Sequence, residues 1–499
     1  MRTLIKGRWV VGYDGRGHTL IPDGVVVWED QRIVFVGHGF EGEVDAVIDG
    51  SDKLVAPGFI DTHVHSGHRA SHRLISDAGR PLYFGQPFLE ISVPKEGRTV
   101  AGDPRYLKPG DASVAAALEL NATFTVAELL RNGVTTFVEF GSNLSVQRAL
   151  LSEVGQLGTR AYLGPGYDCG RWVGDPEGRL KRVFDPEGGL RGLDEAVAFI
   201  REHDGACEGR VRGILVPREV ETSTVELLEK TLAQADALGV PMATHAAYSV
   251  LEFHDVVREH QKTPIELLDA VGMLRPTLNI GHGNFIADDP NLNYSGARDL
   301  ALMGHAGCSI SHCPINIARR GRTLRDWHGY RKAGVNIAIG SDTYPRDMVM
   351  NMRTASLMGK IVGHDYYKAP AGEVFEAATL GGARSLGRED LGRLAPGALA
   401  DIIAINLSGR NSLRYGPVRD PIKSLVECGI GDDIDTVIVD GVVRMEGGLI
   451  PGVDMAALAA EVQAAGEAVW ASLPQWDPRG RTAEEASPWS FPLATADFG

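Results

Sequence analysis

The sequence predicts an α/β fold, a (β/α)8 TIM barrel with a small β-sandwich domain built from both ends of the chain. Three observations point there. Between residues 57 and 389, eight short apolar segments alternate with amphipathic stretches, the rhythm of strands and helices around a parallel sheet. Short strands of alternating polarity stand before and after that region, and the two groups resemble each other. At 499 residues the chain also exceeds the roughly 250–300 residues that one hydrophobic core holds, so a large domain with a smaller companion is expected.

The elements follow in order. LIKGRWVV, GVVVWE and RIVFVG, broken by Gly and Asp turns, read as strands of the companion domain, assigned to residues 1–56. Barrel strands are expected at GFIDTHVH, VTTFVEFG, RAYLGPG, VRGILV, VPMATHAA, TLNIGHG, CSISHC and VNIAIGSD within residues 57–389. VELLEKTLAQADALG and TPIELLDAVGML carry apolar residues three and four apart and read as intervening helices. DIIAIN and DTVIVDGVVRMEGG return to strand character, so residues 390–450 are expected to join residues 1–56 in one composite domain. A helix over AALAAEVQAAGEAVWASL and an extended tail are expected in residues 451–499. Residues 66–125 are longer than an ordinary strand-to-helix connection. Carrying Arg69, Arg73, Tyr83, Phe84, Phe88 and Tyr106, they read as a lid or pocket wall, or as an insertion serving subunit packing.

A net charge of −15 argues against nucleic acid as a partner. No apolar run reaches the ~20 residues of a membrane span, and the first residues lack a secretory h-region, so no membrane partner and a cytoplasmic address are expected. Five scattered cysteines offer neither a disulfide framework nor a thiolate metal site. A small-molecule substrate and a homo-oligomeric assembly are the expected partners.

The chemistry concentrates at strand ends. In GFIDTHVH, His63 and His65 alternate onto one face of a strand, with Val64 turned away. Two imidazoles so placed can chelate a divalent ion. His245, His282 and Asp342 end three later strands, and in a barrel such ends converge at one face. Imidazoles with a carboxylate suit Zn²⁺, with Fe²⁺ or Mn²⁺ compatible.

With APGFIDTHVH, VPMATHAAY, LNIGHGNF, SISHCPIN, IAIGSDT and LGRLAPGALADIIAIN in this order, the chain resembles the amidohydrolase superfamily. The resemblance is to the aminohydrolase and chlorohydrolase branch, which includes adenosylhomocysteine-type and guanine deaminases and triazine hydrolases. It implies one divalent metal on His63, His65, His245 and Asp342. It further implies that Asp342 takes the proton of the attacking water and that His282 polarises the substrate or holds the water and leaving group. Binuclear relatives place a carboxylated lysine on strand four. VRGILVPREV has none, which favours a single ion. Glu139 is the remaining strand-end carboxylate, either beside a second ion or substrate or in an outer role.

The sequence departs from the branch at two places. Three residues after the strand-five His, where the branch carries the Glu that protonates a ring nitrogen, stands Tyr248. Glu252 lies a further turn along and is expected to point away. SHCPINIARRG has Asn316 where the common pattern has a small residue before its Asn. His312, Asn316 and Arg319 are candidate substrate contacts, with Arg319 and Arg320 receiving an anionic group or forming a solvated turn. Tyr248 is expected as an oxyanion donor or as pocket wall. The expected activity is metal-dependent hydrolysis of a non-peptide C–N bond, in an amide, urea, carbamate or related compound. Deamination or dechlorination of a purine, pyrimidine or s-triazine ring is the alternative, and a non-catalytic scaffold the third.

Overall fold

The computed structural model describes residues 1–499 except 68–72, 76–92, 98–111, 178, 288, 409–411 and 496–499. His68, Arg69, His72, Tyr83, Phe84, Phe88 and Tyr106 therefore lie outside the described residues, and with them most of the expected lid.

In chain order the strands that build the two domains are β1 (Arg2–Tyr13), β2 (His18–Glu29), β3 (Arg32–Gly37), β4 (Ala46–Pro57), β5 (Phe59–Val64), β6 (Val134–Glu139) and β7 (Arg160–Leu163). There follow β8 (Gly166–Tyr167), β9 (Gly170–Gly174), β10 (Leu180–Phe184), β11 (Val211–Gly213), β12 (Val216–Pro217), β13 (Met242–Ala246), β14 (Leu278–His282), β15 (Ser309–His312) and β16 (Asn336–Ile339). The last are β17 (Ile402–Asn406), β18 (Ile434–Val439) and β19 (Val442–Met445).

Strands from both chain ends share one seven-stranded sheet, ordered β19-β18-β17-β4-β1-β2-β3. The two ends meet where β17 pairs antiparallel with β4, with Ile403 opposite Ala56. Hydrogen bonding joins these strands into one continuous sheet. Its apolar face, with Ile5, Val10, Val26, Trp28, Ile402 and Ile438, forms a core of its own.

The middle of the chain carries two four-stranded parallel sheets, β11-β7-β6-β5 and β13-β14-β15-β16. β5, β6 and β13 are buried at every position, as strands covered on both faces must be. Single parallel bridges join the two sheets at both seams, Val64 with Asp342 on one side and Leu215 with Met242 on the other. Helices fall between the strands with local start and stop signals. Thr224 caps Val225–Leu238 by accepting from the Leu227 N–H, and Gly239 ends that helix at φ 67°. Within the long connection after β5, a helix spans Ala112–Arg131. The expected insertion thus ends in an ordinary crossover helix.

The tail differs from expectation. After the helix Met455–Ala471, residues Leu473, Trp476 and Ala486 are buried together against Leu74, and Asp477, fully buried, pairs with Arg481. Up to Ser487 this segment folds back onto the chain because it carries apolar side chains to bury. Among the described residues no helix is long and apolar enough to cross a membrane.

Candidate metal centre

The register of two strands sets the site. The Asp342 N–H donates to the His63 carbonyl (2.7 Å) and the His65 N–H to the Asp342 carbonyl (2.8 Å). The His pair at the end of β5 is thereby held level with the carboxylate that follows β16. From across the sheets, His245 on β13 reaches the same point. The Nε2 atoms of His63, His65 and His245 form a triangle with sides of 3.1, 3.1 and 3.2 Å. Asp342 closes it, with Oδ1 3.5 Å from His65 Nε2 and Oδ2 3.6 Å from His282 Nε2. Asp342 and His282 stand at φ 65° and 76°, a left-handed conformation that costs a non-glycine residue on the order of 1–3 kcal/mol. The abrupt turn brings both side chains to the one centre.

The protonation states suit ligation. His245 Nδ1 lies 2.7 Å from the Arg218 carbonyl. A carbonyl only accepts, so the ring proton is on Nδ1 and Nε2 presents its lone pair. Burial lowers the His245 pKa to about 4 and pushes those of His65 and His282 well below the usual imidazole value, so all three stay neutral at neutral pH. The three Nε2 atoms of His63, His65 and His245, 3.1–3.2 Å apart, converge on one point. A tetrahedral Zn²⁺ with bonds of roughly 2.0–2.1 Å separates its ligand atoms by about 3.4 Å, which the observed spacing approaches. His63 is fixed from behind: its ring stacks on Phe140 (3.8 Å between centroids). A Cβ at Gly281 would come within 2.7 Å of His63 Cε1, so only glycine leaves the ring its place.

The other expected site residues take varied positions. The Asn316 amide donates to Asp342 Oδ2, fixing the carboxylate. Glu139 does not face the pocket. It accepts from the N–H and hydroxyl groups of Ser66 and Ser142 and from the Gln147 amide. Five donors exhaust its lone pairs and leave none for a second ion or a ligand. His312 is fully buried, its pKa lowered to about 3 by that burial, with Nδ1 lacking a hydrogen-bond partner. Arg319 lies over the Tyr344 ring at 4.2 Å. Cys313 offers Sγ within 4.8 Å of the ligand atoms of His282 and Asp342, but burial drives its thiol pKa well up and keeps it protonated. Tyr248 is 8 % exposed, and its ring centroid is 6.0 Å from that of His245 and 6.2 Å from that of His282. Glu252 turns away as expected, accepting from the Ala247 and Tyr248 N–H groups.

Several groups went unforeseen. Arg346, buried, binds Glu128 (2.7 Å) and donates to the His65 carbonyl (3.1 Å). Asp61, two residues before His63, accepts from the His63 and Ser341 N–H groups and has its pKa raised to about 6 by burial. The Tyr248 hydroxyl donates to Glu221 Oε1, from the loop after β12. The adjacent acids of VPREVETS, directly after a barrel strand, were the available signal for Glu221.

Parallel strands whose C-terminal ends converge on a cluster of imidazoles and a carboxylate define an α/β, metal-dependent hydrolase. The chain belongs to the amidohydrolase family, whose model matches residues 54–444. It is 28% identical over 470 residues to a 5-methylthioadenosine/S-adenosylhomocysteine deaminase of Moorella thermoacetica, covering 92% of this chain and 98% of the relative. It is 31% identical over 434 residues to a 5'-deoxyadenosine deaminase of Methanothermobacter thermautotrophicus, covering 86% and 90%. Among solved structures it is similar to a zinc-bound adenosine deaminase of Xanthomonas campestris (TM-score 0.76, 20% identity, 94% of this chain and 98% of the other). It is also similar to the zinc complex of atrazine chlorohydrolase TrzN from Arthrobacter aurescens TC1 (TM-score 0.76, 24% identity, 93% and 100%). The chain is a metal-dependent hydrolase acting on C–N bonds.

Proposed function

We propose that His63, His65, His245 and Asp342 hold a single Zn²⁺ ion, and that the chain hydrolyses a C–N bond at the carbonyl-type carbon of a small amide, urea or carbamate. The ion supplies a Lewis acid that lowers the pKa of water toward ~7 and polarises the carbonyl. Asp342, its carboxylate steadied by Asn316, accepts the proton of the attacking water. His282, 3.6 Å from Asp342, polarises the substrate and holds the attacking water. The Tyr248 ring lies beside those of His245 and His282, where its hydroxyl would meet a bound substrate. The Nε2 triangle is the observation that carries the assignment. The two parallel sheets, bridged at both seams, are read as one (β/α)8 barrel whose C-terminal mouth holds this centre.

Deamination of an adenine-bearing nucleoside is the second reading, favoured by the activities named for the bacterial and archaeal relatives. Against it stands the position of Glu252, whose carboxylate binds backbone N–H groups and leaves no strand-five carboxylate to protonate a ring. Assay of the zinc-loaded chain against amides, ureas, carbamates, S-adenosylhomocysteine and 5'-deoxyadenosine decides between them. Turnover of an acyclic carbonyl substrate is expected. Fast ammonia release from the two nucleosides, with no acyclic substrate turned over, would replace the first reading by the second.

A further inference from the structure

Any hydrolysis of a C–N bond must end with a proton on the departing nitrogen, because an amide anion is too basic to leave. The carboxylate expected for that role after β13 is absent, and Tyr248 stands in its place. A tyrosine alone is a poor proton source near neutrality, and burial raises the Tyr248 pKa further still. Its surroundings offer a remedy. The Tyr248 hydroxyl donates to Oε1 of Glu221, which is 2 % exposed. The indole N–H of Trp172 reaches the same carboxyl at 3.3 Å, while Oε2 is buried with no hydrogen-bond partner. Buried carboxylates normally satisfy every oxygen. An orphaned oxygen is natural for an acid that keeps its proton.

The neighbours agree. Glu219 on the same loop and Glu252 on the helix after β13 are the acids facing this pair; the negative charge of Glu219 adds to burial at Glu221, and burial together with Glu221 pushes the Glu252 carboxyl well above its usual range. Arg182, on β10, spends its guanidinium on the Glu221 carbonyl and on Glu259 and stacks on Trp172, so no ion pair to the Glu221 carboxyl is formed. Arg320 donates to the Tyr248 carbonyl (3.2 Å) and not to the acid. With burial the largest cause and Glu219 the next, the Glu221 pKa is pushed up to about 8.

We propose that Glu221 is the proton reservoir of a two-residue relay, acting through Tyr248 to deliver the proton that the departing nitrogen needs. Glu221 is a positioning and proton-holding residue, since the Tyr248 ring lies beside His245 and His282 while Glu221 is buried behind it. When protonated, Glu221 donates to the Tyr248 oxygen and frees the phenolic hydrogen for the substrate. When ionised, it captures that hydrogen. In the step itself the C–O bond to water forms and the C–N bond breaks. The phenolic proton goes to nitrogen and the Glu221 proton replaces it on Tyr248. The proton lost by water is taken by Asp342 and released to solvent, from which Glu221 is recharged once product leaves. The proposal rests on the hydrolase assignment above.

Infrared difference spectra of the zinc-loaded full chain test it without a substrate. Wild type minus Glu221→Gln should show a protonated-carboxyl band at pH 7 that fades as pH rises past about 8 and shifts in Tyr248→Phe. With the best substrate of the panel above, wild-type kcat should fall on the alkaline side with the same pH dependence. Glu221→Gln, whose amide can hydrogen-bond Tyr248 but has no proton to pass on, should lose that limb and lower kcat at least tenfold, with KM changed less than about threefold. Tyr248→Phe should lower kcat at least tenfold. An ionised Glu221 at pH 7, or an unaltered alkaline limb in Glu221→Gln, would overturn the relay while leaving the metal centre standing. The metal centre fails separately, if His245→Ala retains turnover.

Discussion

At the scale of single residues, the centre works because each ligand atom has been prepared by a neighbour. The Arg218 carbonyl takes the His245 ring proton, so the other nitrogen is a lone pair. Asn316 occupies one oxygen of Asp342 and fixes its plane. Removing such a partner typically costs 10- to 100-fold in metal affinity or activity. Asn316→Ala should therefore lower kcat/KM about tenfold or more while KM changes little. An unchanged kcat/KM would show that Asp342 needs no such support. The cluster itself was legible in the sequence, since His63, His65, His245, His282 and Asp342 all end strands whose apolar runs announce them. Their partners were less so. Whether Glu139 meets a pocket or two serines, and whether Asn316 meets a substrate or Asp342, depends on side-chain packing across distant loops. Glu221 was missed for the same reason: 27 residues separate it from Tyr248, and no period or motif joins them.

At the scale of elements, the seven-stranded sheet is fastened to the parallel sheets by buried polar contacts. Arg160, at the start of β7, is 2 % exposed and binds Asp401 beside β17 (3.2 Å) and Asp440 after β18. Deleting one member of a buried ion group strands its partners' charge, at a typical cost of about 3–5 kcal/mol. Arg160→Ala should lower the unfolding free energy by that amount, read from denaturant curves, with metal content per folded chain intact. A loss below about 1 kcal/mol would mean that water reaches the two carboxylates. The second fastening is His18, on β2, whose Nε2 lies 2.9 Å from the Thr379 hydroxyl. Burial lowers its pKa to about 4. Protons then bind the unfolded chain more readily than the folded one between about pH 6.5 and 4, and stability falls as pH drops through that window. The loss from this group is on the order of 3 kcal/mol for a shift of that size. His18→Phe should recover most of it in acid unfolding curves. Equal pH dependence in variant and wild type would assign the effect elsewhere. The strands and their order of chemistry were visible from alternation alone, but these fastenings were not. A lone Arg or His carries no periodic signal.

At the scale of the whole molecule, both chain ends meet in one sheet, and between them two parallel sheets place five strand-end residues within reach of one point. Composite domains of this kind are readable in sequence because both ends share short alternating strands. The layering of the sheet and the fold-back of residues 473–487 are not, since both depend on which apolar faces find each other. The most direct test of the metal centre is metal analysis of the purified chain before and after chelation, beside His245→Ala. About one zinc per chain is expected, removed together with activity by a chelator, restored with it by added Zn²⁺, and absent from the variant. A wild-type chain that holds no stoichiometric metal, and gains no activity when metal is added, would contradict the assignment of His63, His65, His245 and Asp342 as ligands.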